Sequence, residues 1–299
     1  MARNILGYRA SPWLGFIPAI AFIGFFALLP AIATLVLSFT DSTGSRGIPI
    51  NFIGFENYVK FFSSSGTQGT LNALRNTLVF AVATTVLINV FAFLIALLLN
   101  RKSRLATFTR SIVFLPTVLG VAVVGMIWTL FFNPLGGPAQ DFLNVFGGTS
   151  AFFGDQKIVF ALVIFVNLWM YVGYSVVIYI AGLQAVPADL YEAAEIDGAN
   201  WGQRTRLITL PMIAPAVTTN VLICIIGSLQ SYQLIFVLTG AANPATSVLA
   251  LELYRIAFGS GGTIPQQGLA SAISIIQFVM VGIVAVASFA ILRRREEQL

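Results

Sequence analysis

Residues 184–211 read QAVPADLYEAAEIDGANWGQRTRLITLP, and this stretch determines how the rest of the chain is interpreted. Pro187 suits the first turn of a helix, where its missing N–H costs nothing. The segment 188–197 alternates apolar and acidic side chains, and Gly198 can take the left-handed conformation that ends a helix. A second short helical stretch is expected over about 200–209, before a proline. The segment therefore predicts two short helices joined by a glycine, which we call the elbow.

The composition around the elbow is that of an integral membrane protein. Of 299 residues, 58% are hydrophobic and 9% are charged, whereas about a quarter are charged in a typical soluble domain. The mean hydropathy is +0.90. A disordered chain, a secreted disulfide scaffold and a nucleic-acid-binding domain are thereby excluded. One cysteine, no histidine and no Gly-Lys-Ser/Thr sequence also exclude Cys/His zinc sites, histidine-based catalysis and a Walker-type nucleotide site.

Six stretches without Asp, Glu, Lys or Arg are each longer than the roughly 20 residues that cross a bilayer core. We therefore predict a single all-α transmembrane domain over 1–299, with the elbow at 184–211. The expected helices are about 12–39, 76–99, 111–132, 158–183, 212–238 and 268–292. The first is expected to be an uncleaved span, because its apolar run is far longer than the 7–15 residues of a signal peptide.

The distribution of basic residues predicts the orientation. If both termini are cytoplasmic, eleven of the 16 Lys and Arg residues lie in inner segments and five in outer segments. Basic residues are enriched in cytoplasmic loops. Both termini and the elbow are therefore expected on the cytoplasmic side.

No Asp, Glu, Lys or Arg falls inside a predicted span. Proton-coupled carriers usually need an intramembrane carboxylate or histidine, and voltage sensors need arginines. Sodium coupling is less firmly excluded, because backbone carbonyls at broken helices can bind sodium. Uphill transport therefore requires energy from another subunit. An embedded enzyme is disfavoured, because the spans supply no convergent acid, base or metal set, and no metal site is expected.

Polar side chains in the last three predicted spans form a candidate transport path. Tyr171, Tyr174 and Ser175 are spaced i, i+3 and i+4 and share one helix face. Amides and hydroxyls suit the hydroxyl groups of a sugar, and aromatic rings suit its C–H faces. The same side chains can instead join helices, at about 0.6 kcal/mol per hydrogen bond, and the sequence leaves both interpretations open. The candidates are Asn167, Tyr171, Tyr174, Ser175, Asn220, Ser228, Gln230, Tyr232, Gln233 and Gln277.

The elbow closely resembles the EAA loop of ABC importer permeases, whose pattern is E-A-A-x-x-D-G-A, about nine residues, and then I-x-L-P. The matching residues here are Glu192, Ala193, Ala194, Asp197, Gly198, Ala199, Ile208, Leu210 and Pro211. The resemblance extends over nearly the whole chain. The segments YRASPWLGFIPAIAFIGFFALLPAIATLVLSFT, GFENYVKFF and GLASAISIIQFV are similar to carbohydrate-uptake permeases of the maltose/glycerol-phosphate-type branch. This resemblance implies the type I ABC importer permease fold.

The resemblance also implies a mechanism and partners. The elbow would dock into a cytoplasmic ATPase, with Glu192 pairing with a basic residue, Ala193 and Ala194 permitting close approach, and Gly198 setting the elbow angle. Two ATPase subunits, a second homologous permease chain and an extracytoplasmic solute-binding protein are the implied partners, in a plasma membrane. No cofactor is expected on this non-catalytic chain, since ATP and Mg would bind the ATPase.

Departures from the family pattern limit which family properties can be expected of this chain. Thr205 stands near the place where the family usually has an aromatic residue, and Tyr232 and Gln233 stand where it often has Phe-Asp. The identity of the solute therefore does not follow from the resemblance. A six-span secondary carrier that does not use ATP is the alternative, although it leaves the elbow without a role.

Overall fold

The computed structural model describes residues 12–45, 47–63, 68–101, 103–259 and 264–296. These residues are helical or irregular, apart from one isolated β-bridge between Thr40 and Phe52. The helices are α1 (Pro12–Ile23), α2 (Leu29–Leu37), α3 (Glu56–Phe62), α4 (Gln68–Leu99), α5 (Arg104–Val118), α6 (Val121–Phe131), α7 (Pro138–Val145), α8 (Val159–Gln184), α9 (Ala188–Ile196), α10 (Trp201–Arg204), α11 (Leu210–Met212), α12 (Ala214–Leu229), α13 (Gln233–Thr239), α14 (Leu249–Phe258) and α15 (Gln267–Glu296). The orientation prediction rests partly on Arg3, Arg9, Arg46 and Lys102, which lie outside the described residues.

Four helical stretches are long and apolar enough to cross a membrane by themselves. They are Phe16–Leu37, Gly69–Leu99, Val159–Gln184 and Gln267–Arg294. Two bent helix pairs qualify only if each pair is one span, namely α5 with α6 and the segment Trp201–Met212 with α12. The described part of the chain thus has four to six spans and is a multi-pass membrane protein.

The first predicted span, 12–39, is interrupted by a π-helical turn. Helices α1 and α2 are joined through Gly24–Leu28, and the Leu29 N–H donates to the Gly24 carbonyl oxygen, five residues back. Pro30 follows immediately and has no N–H to donate. A residue other than proline at position 30 would donate to the carbonyl of Phe26, which lies within the π-helical turn.

The third predicted span, 111–132, is not a single helix. Helix α5 already begins at Arg104, and it meets α6 at a bend of 100°. Leu119 and Gly120 between them have extended backbone, with ψ of 139° and 145°. The apolar run continues through the bend, so hydropathy alone gives no sign of it.

Helix α8 is the centre of the bundle and packs against α4, α5 and α12. Small residues allow these close approaches, as is usual between membrane helices. A Cβ on Gly173 would lie 2.2 Å from the carbonyl oxygen of Val113 on α5. A Cβ on Gly182 would lie 2.8 Å from Cβ of Ala216 on α12. The two glycines therefore set how closely α8 approaches its neighbours.

Candidate functional site

The fifth predicted span, 212–238, is broken in the structure. Helix α12 ends at Leu229 and α13 begins at Gln233, which leaves an unwound turn at residues 230–232. The carbonyls of a last helical turn lack intrahelical partners. The side-chain Nε2 of Gln277 on α15 donates to the Leu229 carbonyl oxygen at 3.2 Å. The break is therefore a supported element of the bundle.

A cavity of about 500 Å³ lies beside the unwound turn. Helices α8, α12 and α13 form most of its wall, with single contributions from α4 and α5. The lining residues are Ile88, Thr117, Asn167, Tyr171, Tyr174, Ser175, Ile223, Cys224, Gly227, Ser228, Gln230, Ser231, Tyr232, Gln233 and Leu234. The volume and the concave shape are those of a small-molecule site.

Eight of the ten candidate path residues line this one cavity, and Asn220 and Gln277 lie outside it. The candidate set omitted three further polar lining residues, Thr117, Cys224 and Ser231. Cys224 is four residues before Ser228 and therefore shares its helix face, a signal that was available. Thr117 follows Pro116 at the end of α5, so its position depends on a bend that hydropathy does not reveal.

Several polar side chains at the cavity keep their hydrogen-bonding capacity unused. Asn167 is only 4% exposed, and its amide has no hydrogen-bond partner among the described residues. The same holds there for the hydroxyls of Tyr171 and Tyr174 and for the amides of Gln230 and Gln233. Of these residues, Asn167 is buried, whereas Tyr171, Tyr174, Gln230 and Gln233 are exposed at the cavity. A hydroxyl-bearing solute in the cavity would supply the missing partners.

Other polar side chains join helices to one another. Thr84 on α4 donates to the Ser228 hydroxyl at 2.8 Å. Deeper in the bundle, Asn220 donates to Oδ1 of Asn89 at 2.9 Å, and the Tyr179 hydroxyl donates to the same oxygen. Interhelical hydrogen bonding thus accounts for Asn220 and for Gln277, whereas Ser228 both joins helices and lines the cavity.

None of the described residues that line the cavity is Asp, Glu, Lys or Arg. An ion pair lies nearby on α14, where the buried Glu252 carboxylate accepts from Nε of Arg255 at 3.0 Å. This bond raises the pKa of Arg255 above its usual value, against the opposite effect of burial. Among the described residues there is no group of three His, Cys, Asp or Glu side chains that could hold a metal ion.

The elbow is built on a glycine turn followed by a capped helix. Gly198 has a φ of +73°, the left-handed conformation that glycine adopts at little cost, and the Ala199 N–H donates to the Ala194 carbonyl at 2.9 Å. Asn200 then caps α10: its Oδ1 accepts from the Gln203 N–H at 2.9 Å, and its own N–H donates to Gln203 Oε1 at 2.8 Å. This reciprocal capping box fixes the start of the second helix.

The second short helix differs from the expected continuous stretch over 200–209. After α10, the chain forms a π-helical turn at Thr205–Thr209 and then α11. Pro211 in α11 lacks an N–H, which again accompanies a π-helical turn. The whole segment then meets α12 at a bend of 71°, so the elbow leads directly into the helix that lines the cavity.

The elbow exposes both charged and apolar side chains. Glu192, Ala193 and Asp197 of the expected docking set are exposed, whereas Ala194 is buried inside the elbow. Thr205 donates its hydroxyl to the Trp201 carbonyl at 2.9 Å. Sequence reasoning missed three apolar side chains that protrude from this surface, which are Ile196, Trp201 and Leu207 at 86%, 65% and 69% exposure. Trp201 therefore presents an aromatic ring close to where Thr205 departs from the family pattern.

Comparison with protein families and curated proteins gives consistent matches. A sequence profile for the family described as "Binding-protein-dependent transport system inner membrane component" matches residues 88–298. A probable starch degradation products transport system permease protein of Thermoanaerobacterium thermosulfurigenes is 30% identical over 96% of this chain and 95% of its own length. The lactose transport system permease protein of Rhizobium radiobacter is 31% identical over 97% and 96%. A multiple sugar-binding transport system permease protein of Streptococcus mutans is 32% identical over 94% of both chains.

Solved structures share the fold. A bacterial ABC transporter involved in the import of the acidic polysaccharide alginate has a chain that superimposes with a TM-score of 0.81, at 22% identity and 94% coverage of both chains. The alginate transporter in complex with its alginate-pentasaccharide-bound periplasmic protein gives a TM-score of 0.80, at 22% identity and coverage of 95% of this chain and 94% of the other. The fold is thus that of an ABC importer permease.

Proposed function

Because the chain belongs to the family of binding-protein-dependent transport system inner membrane components and is the permease of an ATP-driven importer of the carbohydrate-uptake type, we propose that its own cavity carries a sugar or sugar-like solute. Membership of this family favours the importer over a secondary carrier. The observation that carries the proposal is the set of amides and hydroxyls around the cavity beside the α12 break that have no partner among the described residues.

The chemistry of the cavity fits an uncharged, hydroxyl-rich solute. Amides such as those of Asn167, Gln230 and Gln233 can both donate and accept hydrogen bonds. Tyr171 and Tyr174 add hydroxyls and aromatic faces, and both are partly exposed toward the cavity, at 39% and 45%. The names of similar permeases, which refer to starch degradation products, lactose and multiple sugars, support the same cargo class.

The membrane arrangement that we propose has six spans with both termini cytoplasmic, in a plasma membrane. Helices α5 and α6 then form one span, and α12 with α13 forms the fifth span after the elbow. The excess of basic residues in the terminal and inner segments supports this orientation. It places the elbow on the cytoplasmic side and the α13–α14 connection on the outer side.

ATP hydrolysis on the partner subunit would be coupled to the cavity through the elbow. Glu192, Ala193, Asp197, Gly198 and Ala199 would form the docking surface for a cytoplasmic ATPase, continued by Leu210 and Pro211, with Ala194 packing behind it. Because the segment Trp201–Met212 runs into α12, a movement of the elbow would be transmitted to the helix that lines the cavity. ATP and Mg would bind the ATPase, so this chain itself needs no cofactor and performs no catalysis.

The assembly would contain two ATPase subunits, an extracytoplasmic solute-binding protein and a second, homologous permease chain. The span Phe16–Leu37 leaves room for such a chain, because none of its most apolar 18-residue window is buried within the described residues. The corresponding window of Gln267–Arg294 is equally unburied. Such faces are suited to lipid or to another membrane chain.

The deciding experiment is reconstitution in liposomes with the partner subunits, followed by uptake of labelled saccharides. Uptake should require ATP and the loaded binding protein, and it should persist with an uncoupler. Substituting Asn167 by Leu should lower uptake at least several-fold while assembly and basal ATP hydrolysis are retained. Uptake without ATP would contradict the importer, and transport of only charged solutes would contradict the sugar cargo.

A further inference from the structure

The connection between α4 and α5 forms a basic pocket at the edge of the bundle. It has a volume of about 520 Å³ and is lined by Asn100, Arg101, Ser103, Arg104, Thr107, Arg110 and Gln184. All seven lining residues are polar, three are arginines and none is acidic. The pocket lies where α4 and α8 end and α5 begins. It is separate from the cavity beside the α12 break, since the two share no lining residue.

One of the three arginines is bonded to main-chain carbonyls, and the other two could bind a ligand. Arg110 donates from Nε and Nη2 to the Leu99 carbonyl oxygen, at 3.2 and 2.5 Å, and from Nη2 to the Arg101 carbonyl oxygen at 3.3 Å. It therefore caps the end of α4. The side chains of Arg101 and Arg104 have no hydrogen-bond or ion-pair partner among the described residues. Two guanidinium groups thus face an open pocket without a neutralising carboxylate.

An apolar stripe begins one residue after Arg104 and runs along the neighbouring face of α5. It consists of Leu105, Phe108, Ile112 and Leu115, with exposures of 73%, 64%, 54% and 61%. The spacing of i, i+3, i+7 and i+10 places them on one helix face. Ten residues of α-helix rise about 15 Å, which is half of a hydrocarbon core of about 30 Å. The stripe therefore has the length of one leaflet.

We propose that the pocket binds the headgroup phosphate of an anionic phospholipid, whose acyl chain lies along the α5 stripe. Arginine forks match phosphate oxygens well, and the cytoplasmic leaflet is the one that carries anionic lipids. The positive-inside tendency accounts for basic residues in this connection, but it does not require them to converge on one pocket beside an apolar stripe. That combination favours a lipid over a free phosphate, because a free phosphate has no apolar part to contact the stripe.

The test is native mass spectrometry of the detergent-purified transporter titrated with phosphatidylglycerol or phosphatidylcholine of equal chain length. We expect preferential retention of phosphatidylglycerol. Arg104→Gln should weaken it about 5-fold, and Arg101→Gln with Arg104→Gln about 30-fold, from the usual contribution of an arginine near a charged membrane surface. Arg294→Gln is the matched control, because it removes the same charge from the exposed end of α15, and it should leave retention unchanged.

Four outcomes would overturn the proposal. The double variant could retain phosphatidylglycerol as well as the unaltered transporter does, or both lipids could bind equally. Glycerol phosphate without acyl chains could displace the lipid at equal concentration, which would identify a free-phosphate site instead. A cross-link from position 101 to the ATPase that blocks lipid retention would identify a protein contact. Thermal unfolding of each variant shows whether a loss of lipid reflects a loss of fold.

Discussion

Glu195 and Arg204 lie on opposite sides of the Gly198 turn and form an ion pair across it, with 3.3 Å between Oε2 and Nη1. A second bond, 3.0 Å between the Tyr191 hydroxyl and Thr209 Oγ1, joins the same two arms. The elbow is thus braced from within, and Glu195 already has a partner. Glu192 is exposed and has none among the described residues.

This difference between two nearby glutamates gives the first prediction. Glu192→Gln should lower uptake and transport-linked ATP hydrolysis at least about tenfold, because truncating one partner of a desolvated charge pair at an interface is costly. Glu195→Gln removes an ion pair whose carboxylate is largely exposed to solvent; pairs of this kind contribute little, so the variant should retain most activity. ATPase co-purification and liposome uptake would measure both. Equal loss in the two variants would contradict a specific docking role for Glu192.

The second prediction concerns the backbone of the turn. Gly198→Val forces a β-branched residue into a left-handed conformation, which costs about 1–2 kcal/mol for ordinary residues. We expect a distorted elbow and strongly reduced uptake with normal membrane insertion. Gly198→Asn is the matched control, since asparagine tolerates this conformation and nothing lies within 4 Å of a Cβ there. If both variants transport normally, the turn geometry is not needed for coupling.

A third prediction separates binding from structure with two amides. Asn167→Leu removes an amide that has no partner in the described structure, so stability should stay the same or rise while uptake falls. Gln277→Leu leaves the Leu229 carbonyl without its donor, so the unfolding free energy should fall by about 1–3 kcal/mol. Thermal unfolding in detergent and uptake assays distinguish the two effects. A destabilised Asn167→Leu protein would argue against a free amide.

The fourth prediction tests the contact between α8 and α5. Gly173→Val should destabilise the protein or prevent assembly, because even a Cβ there would lie 2.2 Å from backbone oxygen of Val113. Overpacking of this kind typically costs about 1–3 kcal/mol. Gly227→Val is a suitable control for stability alone, because no atom lies within 4 Å of its Cβ position. Similar yields and unfolding temperatures for the two variants would show that α5 can move away.

The elbow could be predicted largely from sequence, because each of its determinants is local. Gly198 alone marks the left-handed turn, and Asn200 with Gln203 forms its capping box within four residues. The exposed apolar side chains were not predictable in the same way. Exposure of Trp201 and Leu207 depends on which face of the short helices turns toward α12, and that is decided by tertiary packing.

The breaks within the predicted spans could not be predicted from hydropathy. The run through Leu119 and Gly120 and the run through 230–232 contain no charge, so length and composition describe them as continuous. In the structure the backbone at both places leaves the helical conformation. At the second place Gln277 donates to the Leu229 carbonyl, 48 positions earlier in the chain. The clustering of eight candidate side chains at one cavity follows from such long-range contacts, and only helix-face periodicity hinted at it.

The unwound turn after Leu229 has a consequence for how such a transporter diversifies. The main-chain carbonyl groups at positions 230–232 are present whichever side chains occupy these positions. Substitutions there can therefore change size, aromaticity and hydrogen-bonding pattern without abolishing the polarity of that wall. Single substitutions at these positions can thus alter how a solute fits the cavity while the polar main-chain groups of the turn remain.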